Sequence, residues 1–238
     1  MPGVPDVRVG VAVPAAGMGR RMGGQRKAWL ELGGRPLLAR ALEPFLVRTD
    51  VIAVRVALSS DDAVNPPEWL VGLDDRVEVV PGGATRADSV AAAVGGLPDD
   101  VDVVLVHDAA RPLLTAPVID RVIRGVEAGV GAVAGLPATD TFKRVGEGDF
   151  IESTPRRAGL WHAQTPQGFP ADLLRRGVAA LGADPSLAER ATDDAALVEA
   201  VGGRVRMVLG AARNLKVTHP TDLPLAHWYL DHPDEGGG

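Results

Sequence analysis

Three clusters of residues in this sequence have the types and spacing for chemistry on a phosphate. The first is Pro14-Ala15-Ala16-Gly17-Met18-Gly19-Arg20-Arg21-Met22-Gly23-Gly24-Gln25-Arg26-Lys27, which follows the apolar run Val9 to Val13. Its four glycines let the backbone turn sharply and approach a ligand. Successive free N–H groups in such a turn form an anion-binding concavity, and four cations surround it. The second cluster is Gly82-Gly83 with Arg86 and Ser89, and the third is Asp108 with Arg111 in His107-Asp108-Ala109-Ala110-Arg111-Pro112. A strand, a glycine turn and a ring of cations suit a polyphosphate.

Other phosphate loops do not match. A dinucleotide fingerprint wants a glycine where Met22 stands and an acid about 20 residues on. A Walker loop ends in Gly-Lys-Ser/Thr, whereas Gly24 is followed by Gln25. The chain has no cysteine and no Gly-x-Ser-x-Gly elbow, and its five histidines lack metal-ligand spacing. Many cations, one acid and no evident base suit phosphoryl or nucleotidyl transfer, where catalysis is positioning and charge neutralisation. A phosphate acceptor is already anionic and needs no base. Asp108 has two readings, a helix cap or partner of Arg111, and a magnesium ligand acting directly or through water.

Lysine usage narrows the search. Of 25 cationic residues only Lys27, Lys143 and Lys216 are lysine. In an arginine-rich chain these mark places where a compact, flexible point charge is wanted.

The elements that must position these clusters alternate strand and helix, which predicts an α/β fold with a mostly parallel, Rossmann-like sheet flanked by helices. Strands are expected at Val9 to Val13, Val51 to Leu58, Arg76 to Val80, Asp102 to Val106, Gly131 to Leu136 and Val205 to Leu209. Helices are expected after Pro36, at Glu68 to Gly72, and at about 87–94, 117–128, 171–181, 193–201 and 221–230. Ser59 to Pro67 reads as a loop, and His232 to Gly238 as a disordered tail. Residues 137–160 break the rhythm: two strands around Gly146-Glu147-Gly148 read as an inserted β-hairpin arm within a single domain, 1–238. Leu160 to Ala163 reads as a further strand ending at Gln164-Thr165-Pro166-Gln167. Ligands of open α/β sheets bind at the carboxyl ends of strands, near the point where strand order reverses. The three clusters share one crevice if the strands at Val9 and Asp102 are neighbours.

A net charge of −6 argues against a nucleic-acid partner. The absence of cysteine fits a reducing compartment. The N-terminus has no apolar signal core, and no uncharged run is long enough to span a bilayer. A soluble cytoplasmic protein is expected, with no membrane partner.

The motifs together resemble the 2-C-methyl-D-erythritol 4-phosphate cytidylyltransferase family. They are the loop Pro14 to Lys27, Gly82-Gly83 with Arg86 to Val90, Val106 to Pro112, Asp140-Thr141 with Lys143, Thr165-Pro166-Gln167, Thr192-Asp193-Asp194 and Asn214-Leu215-Lys216-Val217-Thr218. The match runs in family order from about Val9 to Leu230. The resemblance implies CMP transfer from CTP to methylerythritol 4-phosphate, with Mg2+ or another divalent cation and release of pyrophosphate. It implies that Arg21, Lys27, Arg157 and Lys216 are catalytic. Ala15, Ala16, Gly17, Gly19, Gly82, Gly83 and Ser89 would hold CTP. Asp108 would sit by metal and ribose, Arg111 near the acceptor, and Thr141 with Arg157 on the acceptor; Thr165 and Thr192 are further substrate-site candidates. The arm would reach a partner subunit, so that a homodimer shares its sites. Two departures stand out: Arg26-Lys27-Ala28 replaces the family's Pro-Lys-Gln, and Ala84 stands where a polar residue is common. The rival readings are ribitol-5-phosphate cytidylyltransferase, a sugar-1-phosphate nucleotidyltransferase and a non-catalytic nucleotide-binding module.

Overall fold

The computed structural model describes residues 7–17, 26–184 and 186–236, and of Lys27 the backbone only. Strand β1 (Val9–Pro14) lies inside a seven-stranded sheet. Its valines pack on one face and Ala12 on the other, the pattern of a strand covered on both sides. A small antiparallel pair, β2 (Glu31–Leu32) and β3 (Arg35–Pro36), follows. It turns at Gly33 and Gly34, both at positive φ, where glycine carries no steric cost. Pro36 then caps α1 (Leu37–Leu46), whose residues Leu38, Leu42 and Phe45 are fully buried at helical spacing.

The next elements are β4 (Val51–Leu58), α2 (Ser60–Val64), α3 (Glu68–Val71), β5 (Val77–Pro81), α4 (Arg86–Gly95) and β6 (Val103–Val106). Helix α2 occupies the expected loop, because the Ser59 hydroxyl accepts the Asp62 amide and two acids fill its first turn. Then come α5 (Ala116–Gly125), β7 (Val130–Pro137), and the hairpin β8 (Arg144–Val145) with β9 (Ile151–Ser153). Strand β10 (Trp161–Pro170), α6 (Ala171–Ala183), α7 (Ser186–Arg190), α8 (Asp194–Ala200), β11 (Arg204–Leu209) and α9 (Leu223–Asp231) complete the described chain.

The sheet order is β11-β7-β10-β6-β1-β4-β5. Strand β1 pairs in parallel with both β4 and β6, so strand order reverses beside it and the three clusters meet at one edge. Within this sheet, among the described residues, only β10 runs antiparallel, between β6 and β7. It extends through Gln164 to Gln167, which were expected to end a strand; in the structure they lie inside one, with a cis Thr165–Pro166 bond. Helices α1 and α5 cover one face of the sheet, and α4, α6 and α8 the other.

Phe169 on β10 is fully buried, and Gly131 of β7 clears space for it: a Cβ there would sit 2.4 Å from the ring. Phe169→Ala is expected to cost about 3–5 kcal/mol, as for other large core truncations. Urea unfolding at constant m-value checks this. The chain after α9 folds back as far as Gly236, contrary to the disordered tail expected. Arg213 donates to the carbonyls of Tyr229 and Pro233, the Gly236 carbonyl accepts from the Arg213 amide, and His232 stacks on Trp228.

Candidate active site

The carboxyl ends of β1, β5 and β6 enclose a cavity of about 270 Å³. Pro14, Ala15, Ala16 and Gly17 form one wall; Gly83 to Arg86 with Ser89 form another; Asp108, Ala109, Ala110 and Lys216 close the third. Small side chains leave backbone groups within reach of a ligand. Among the described residues nothing lies within 4 Å of where a Gly17 side chain would be. Gly82 packs behind the wall, and a Cβ there would lie 2.9 Å from both the Ala16 Cβ and the Ser89 Oγ. Gly82→Ala is therefore expected to splay the two loops and weaken binding of a polyphosphate ligand at least tenfold, measured by calorimetry, since a misplacement of about 1 Å carries effects of that order.

Helix α4 begins at this wall. Thr85 and Asp88 form a capping box, and the Ser89 hydroxyl donates to the Thr85 carbonyl while accepting from the Gly83 amide. Arg86, the first residue of the helix, binds two acids at once. Its guanidinium makes paired bonds of 2.9 and 2.8 Å to Asp194 at the start of α8, and its Nη2 lies 3.1 Å from Asp108 Oδ1. Lys216 Nζ lies 2.7 Å from the other Asp108 oxygen. Burial alone would raise the Asp108 carboxyl, but Arg86 and Lys216 outweigh it and hold it well below the usual carboxylate range. Asp108 is therefore ionised near neutral pH.

A buried relay holds the Asp108 loop. The Asp108 amide donates to Thr165 Oγ1 at 3.0 Å, and Thr165 Oγ1 lies 3.0 Å from His107 Nδ1. His107 Nε2 faces the Arg111 carbonyl at 3.1 Å, so Nε2 must carry the proton and Nδ1 accepts from Thr165. Burial, against that carbonyl bond, lowers the His107 pKa from 6.5 to about 4. The unfolded chain takes up this proton near 6.5 and the folded chain only near 4. Between these values the unfolded state binds more protons, so stability rises with pH and is lost on acidification. Asp108 acts in the same direction, but only below its ordinary range. Urea unfolding across the window should show the slope, and His107→Gln should flatten it.

The structure brings Ala15, Ala16, Gly17, Gly83, Ser89, Asp108 and Lys216 to one cavity, with Gly82 directly behind. Gly19 and Arg21 lie outside the described residues, as does the Lys27 side chain. Arg111, expected near the acceptor, does not line the cavity: it is buried and donates to the carbonyls of Asn214 and Ala163. Thr165 is likewise buried behind Asp108. Thr192 is exposed beside Asp193, the N-cap of α8. Thr141 and Arg157 are exposed on the hairpin segment, where Arg157 donates to the Thr139 carbonyl. Lys143 donates to Thr154 across the same segment at 2.8 Å.

The sequence reading missed the supporting layer. Asp194, Gln164, Gln167 and Asn214 are all buried polar residues. Gln167 accepts the Ala195 amide and donates to Asp193, tying β10 to the start of α8. The available signal was the polar tract Gln164 to Gln167 beside apolar strand residues, since such groups enter a core only when paired.

Among the described residues no three His, Cys, Asp or Glu groups come together as a metal cage. The donor set suits a divalent cation of another kind. Magnesium keeps its waters and is held by one or two carboxylates plus substrate phosphates, and Asp108 is an ionised carboxylate facing the cavity. No described helix is long and apolar enough to cross a membrane.

Residues 9–232 match the family model for IspD, 2-C-methyl-D-erythritol 4-phosphate cytidylyltransferase. A protein of that name from Halorhodospira halophila is 46% identical over 231 residues, covering 92% of this chain and 92% of the relative. One from Acidobacterium capsulatum is 42% identical, covering 94% of this chain and 98% of the relative. Among solved structures, the 2-C-methyl-D-erythritol 4-phosphate cytidylyltransferase of Thermus thermophilus superposes with a TM-score of 0.76 at 36% identity, over 94% of this chain and 100% of that one. With its glycine-walled cavity, its Asp108–Lys216 pair and a match over almost its whole length, the chain belongs to the 2-C-methyl-D-erythritol 4-phosphate cytidylyltransferase family.

Proposed function

We propose that this chain transfers CMP from CTP to 2-C-methyl-D-erythritol 4-phosphate, giving 4-diphosphocytidyl-2-C-methyl-D-erythritol and pyrophosphate in the non-mevalonate isoprenoid pathway. The observation that carries the reading is the meeting of Asp108 and Lys216, 2.7 Å apart, at the edge of a cavity walled by glycine and alanine backbone. The acceptor's phosphate oxygen attacks the α-phosphorus in line. A new P–O bond forms, the bond to the bridging oxygen of pyrophosphate breaks, and that leaving oxygen carries away the electron pair. No base is required, because the attacking oxygen is already anionic.

Ala15, Ala16, Gly17, Gly19, Gly82, Gly83 and Ser89 hold the nucleotide through close backbone approach. Lys216, with Arg21 and Lys27, neutralises the charge that builds on the α-phosphoryl oxygens, where preorganised cations act with little reorganisation. Asp108 would hold the divalent cation and orient the ribose. Bound magnesium supplies further charge neutralisation on the triphosphate. Arg111 holds the Asn214 carbonyl behind the site.

Residues 137–160 form the arm of a single domain, and they place Arg157 and Thr141 in the site of a partner subunit of a homodimer. Phe150 (78% exposed) and Ile151 (60%) are bare apolar side chains on this arm, as a segment awaiting a partner would have. The enzyme works in the cytoplasm. Mixing Arg157→Ala chains with Lys216→Ala chains is expected to restore activity through heterodimers that carry one intact site. No restoration after demonstrated subunit exchange would count against an arm acting in trans.

The reaction itself is tested by pyrophosphate release with CTP and magnesium, offering methylerythritol 4-phosphate and ribitol 5-phosphate in parallel. Turnover with the first alone is expected. Turnover with the second alone would move the enzyme to polyol-phosphate activation, and release with neither would leave a nucleotide-binding module.

A further inference from the structure

Lys216 sits in a loop, and its flexible side chain, paired with Asp108, does not by itself fix where that loop runs. Two residues before it, Asn214 is fully buried. Its carbonyl accepts from Arg111 Nη1 at 2.7 Å, and its side-chain Nδ2 lies 2.7 Å from the Thr165 carbonyl and 3.2 Å from Gln164 Oε1. One residue after Lys216, the Val217 amide donates to the Ala110 carbonyl at 2.8 Å. The stretch carrying the lysine is therefore pinned on both sides to the loop that carries Asp108.

The polarity of the first pin is forced. Gln164 Oε1 accepts from the Ala211 amide at 3.3 Å and its Nε2 donates at 2.9 Å to the Ala211 carbonyl, which also accepts from the Asn214 amide at 3.1 Å. Gln164 cannot flip without losing both bonds, so its Oε1 faces Asn214. The Thr165 carbonyl faces Asn214 as well. Two acceptors thus converge on one side chain, and only a group with two hydrogens on a single atom satisfies both. The Asn214 amide supplies them. Its Oδ1 finds no hydrogen-bond partner among the described residues, so the site accepts an unpaired carbonyl oxygen to obtain two donors.

We infer that Asn214, held in orientation by Gln164, is the positioning residue that sets Lys216 against Asp108 and the α-phosphate. The inference rests on the proposed role of Lys216 in cytidylyl transfer. Asn214 touches no reacting atom; it acts through the lysine two residues on.

The test is a double-mutant cycle on the full-length protein, reading kcat and KM for CTP with radiolabelled nucleotide so that slow turnover is measurable. Asn214→Asp keeps the shape but sets an oxygen against the two acceptors. It is expected to lower kcat about 30- to 100-fold, the range for a displacement of about 1 Å, with KM for CTP changed by less than about threefold. In a Lys216→Ala background the same substitution should lower the residual kcat by less than about twofold, because the element it positions is gone. If Asn214→Asp costs the same factor in both backgrounds, the inference is overturned and Asn214 acts elsewhere. If Lys216→Ala itself turns over at the wild-type rate, the reading of Lys216 fails instead.

Gln164→Glu, which removes the donor to Ala211 without changing shape, repeats the cycle should Asn214→Asp fold poorly. A crystal structure of either single variant gives a readout independent of activity. Lys216 Nζ is expected to leave Asp108 Oδ2, and a separation still at about 3 Å, a normal charged hydrogen bond, would contradict the inference.

Discussion

Lys216→Ala is expected to lower kcat by about 10³-fold, the upper range for removing one preorganised donor from a developing charge. The side chain is 43% exposed, and its ammonium meets the protein at Asp108, which keeps Arg86 as a second cation. Folding should therefore change little, with Tm within about 3 °C of the parent. The contrast between a collapsed kcat and a conserved Tm separates a catalytic cation from a structural one. Lys216→Arg should recover only part of the rate, since a planar fork does not replace a point charge on a flexible stem. Near-normal turnover of Lys216→Ala would remove the lysine from the chemistry.

Asp108→Asn should have an effect of similar size through a different variable. The substitution keeps the shape and removes the one acid that lines the cavity among the described residues. Lys216 then faces a neutral amide, while Arg86 retains its paired bonds to Asp194. At saturating magnesium kcat should fall about 10²-fold. The magnesium concentration for half-maximal rate should rise about tenfold or more, as expected when a carboxylate ligand to the ion is lost. A magnesium titration at fixed CTP reads both. A rate loss with an unchanged magnesium requirement would assign Asp108 to the ribose and to Lys216 alone.

Much of this arrangement was legible in the residues. The run Val51 to Leu58 is apolar apart from Arg55 and forms a strand with those limits. The glycine turns fell at strand ends, and the neighbouring of β1 and β6 put Asp108 opposite the first loop. What stayed hidden shares one physical cause: polar residues whose partners are distant in sequence. Gln164, Thr165 and Gln167 looked like the end of a strand, yet they lie inside β10 because Ala211, Asp108 and Asp193 satisfy them across 26 to 57 residues. Arg86 was visible beside Gly82-Gly83, but its second acid, Asp194, is 108 residues away. Arg111, which the resemblance places near the acceptor, has its two carbonyl partners 52 and 103 residues further on. Local signals survive in a sequence, whereas the satisfaction of a buried polar group is a tertiary fact.

The most direct measurement is a crystal structure of this protein with CTP and magnesium. Cytidine is expected between Ala15–Gly17 and Gly82–Ser89, with Lys216 Nζ within about 3 Å of an α-phosphoryl oxygen, the range of a charge-assisted hydrogen bond. A nucleotide bound elsewhere, or an α-phosphate out of reach of Lys216 with the lysine still paired to Asp108, would contradict this expectation.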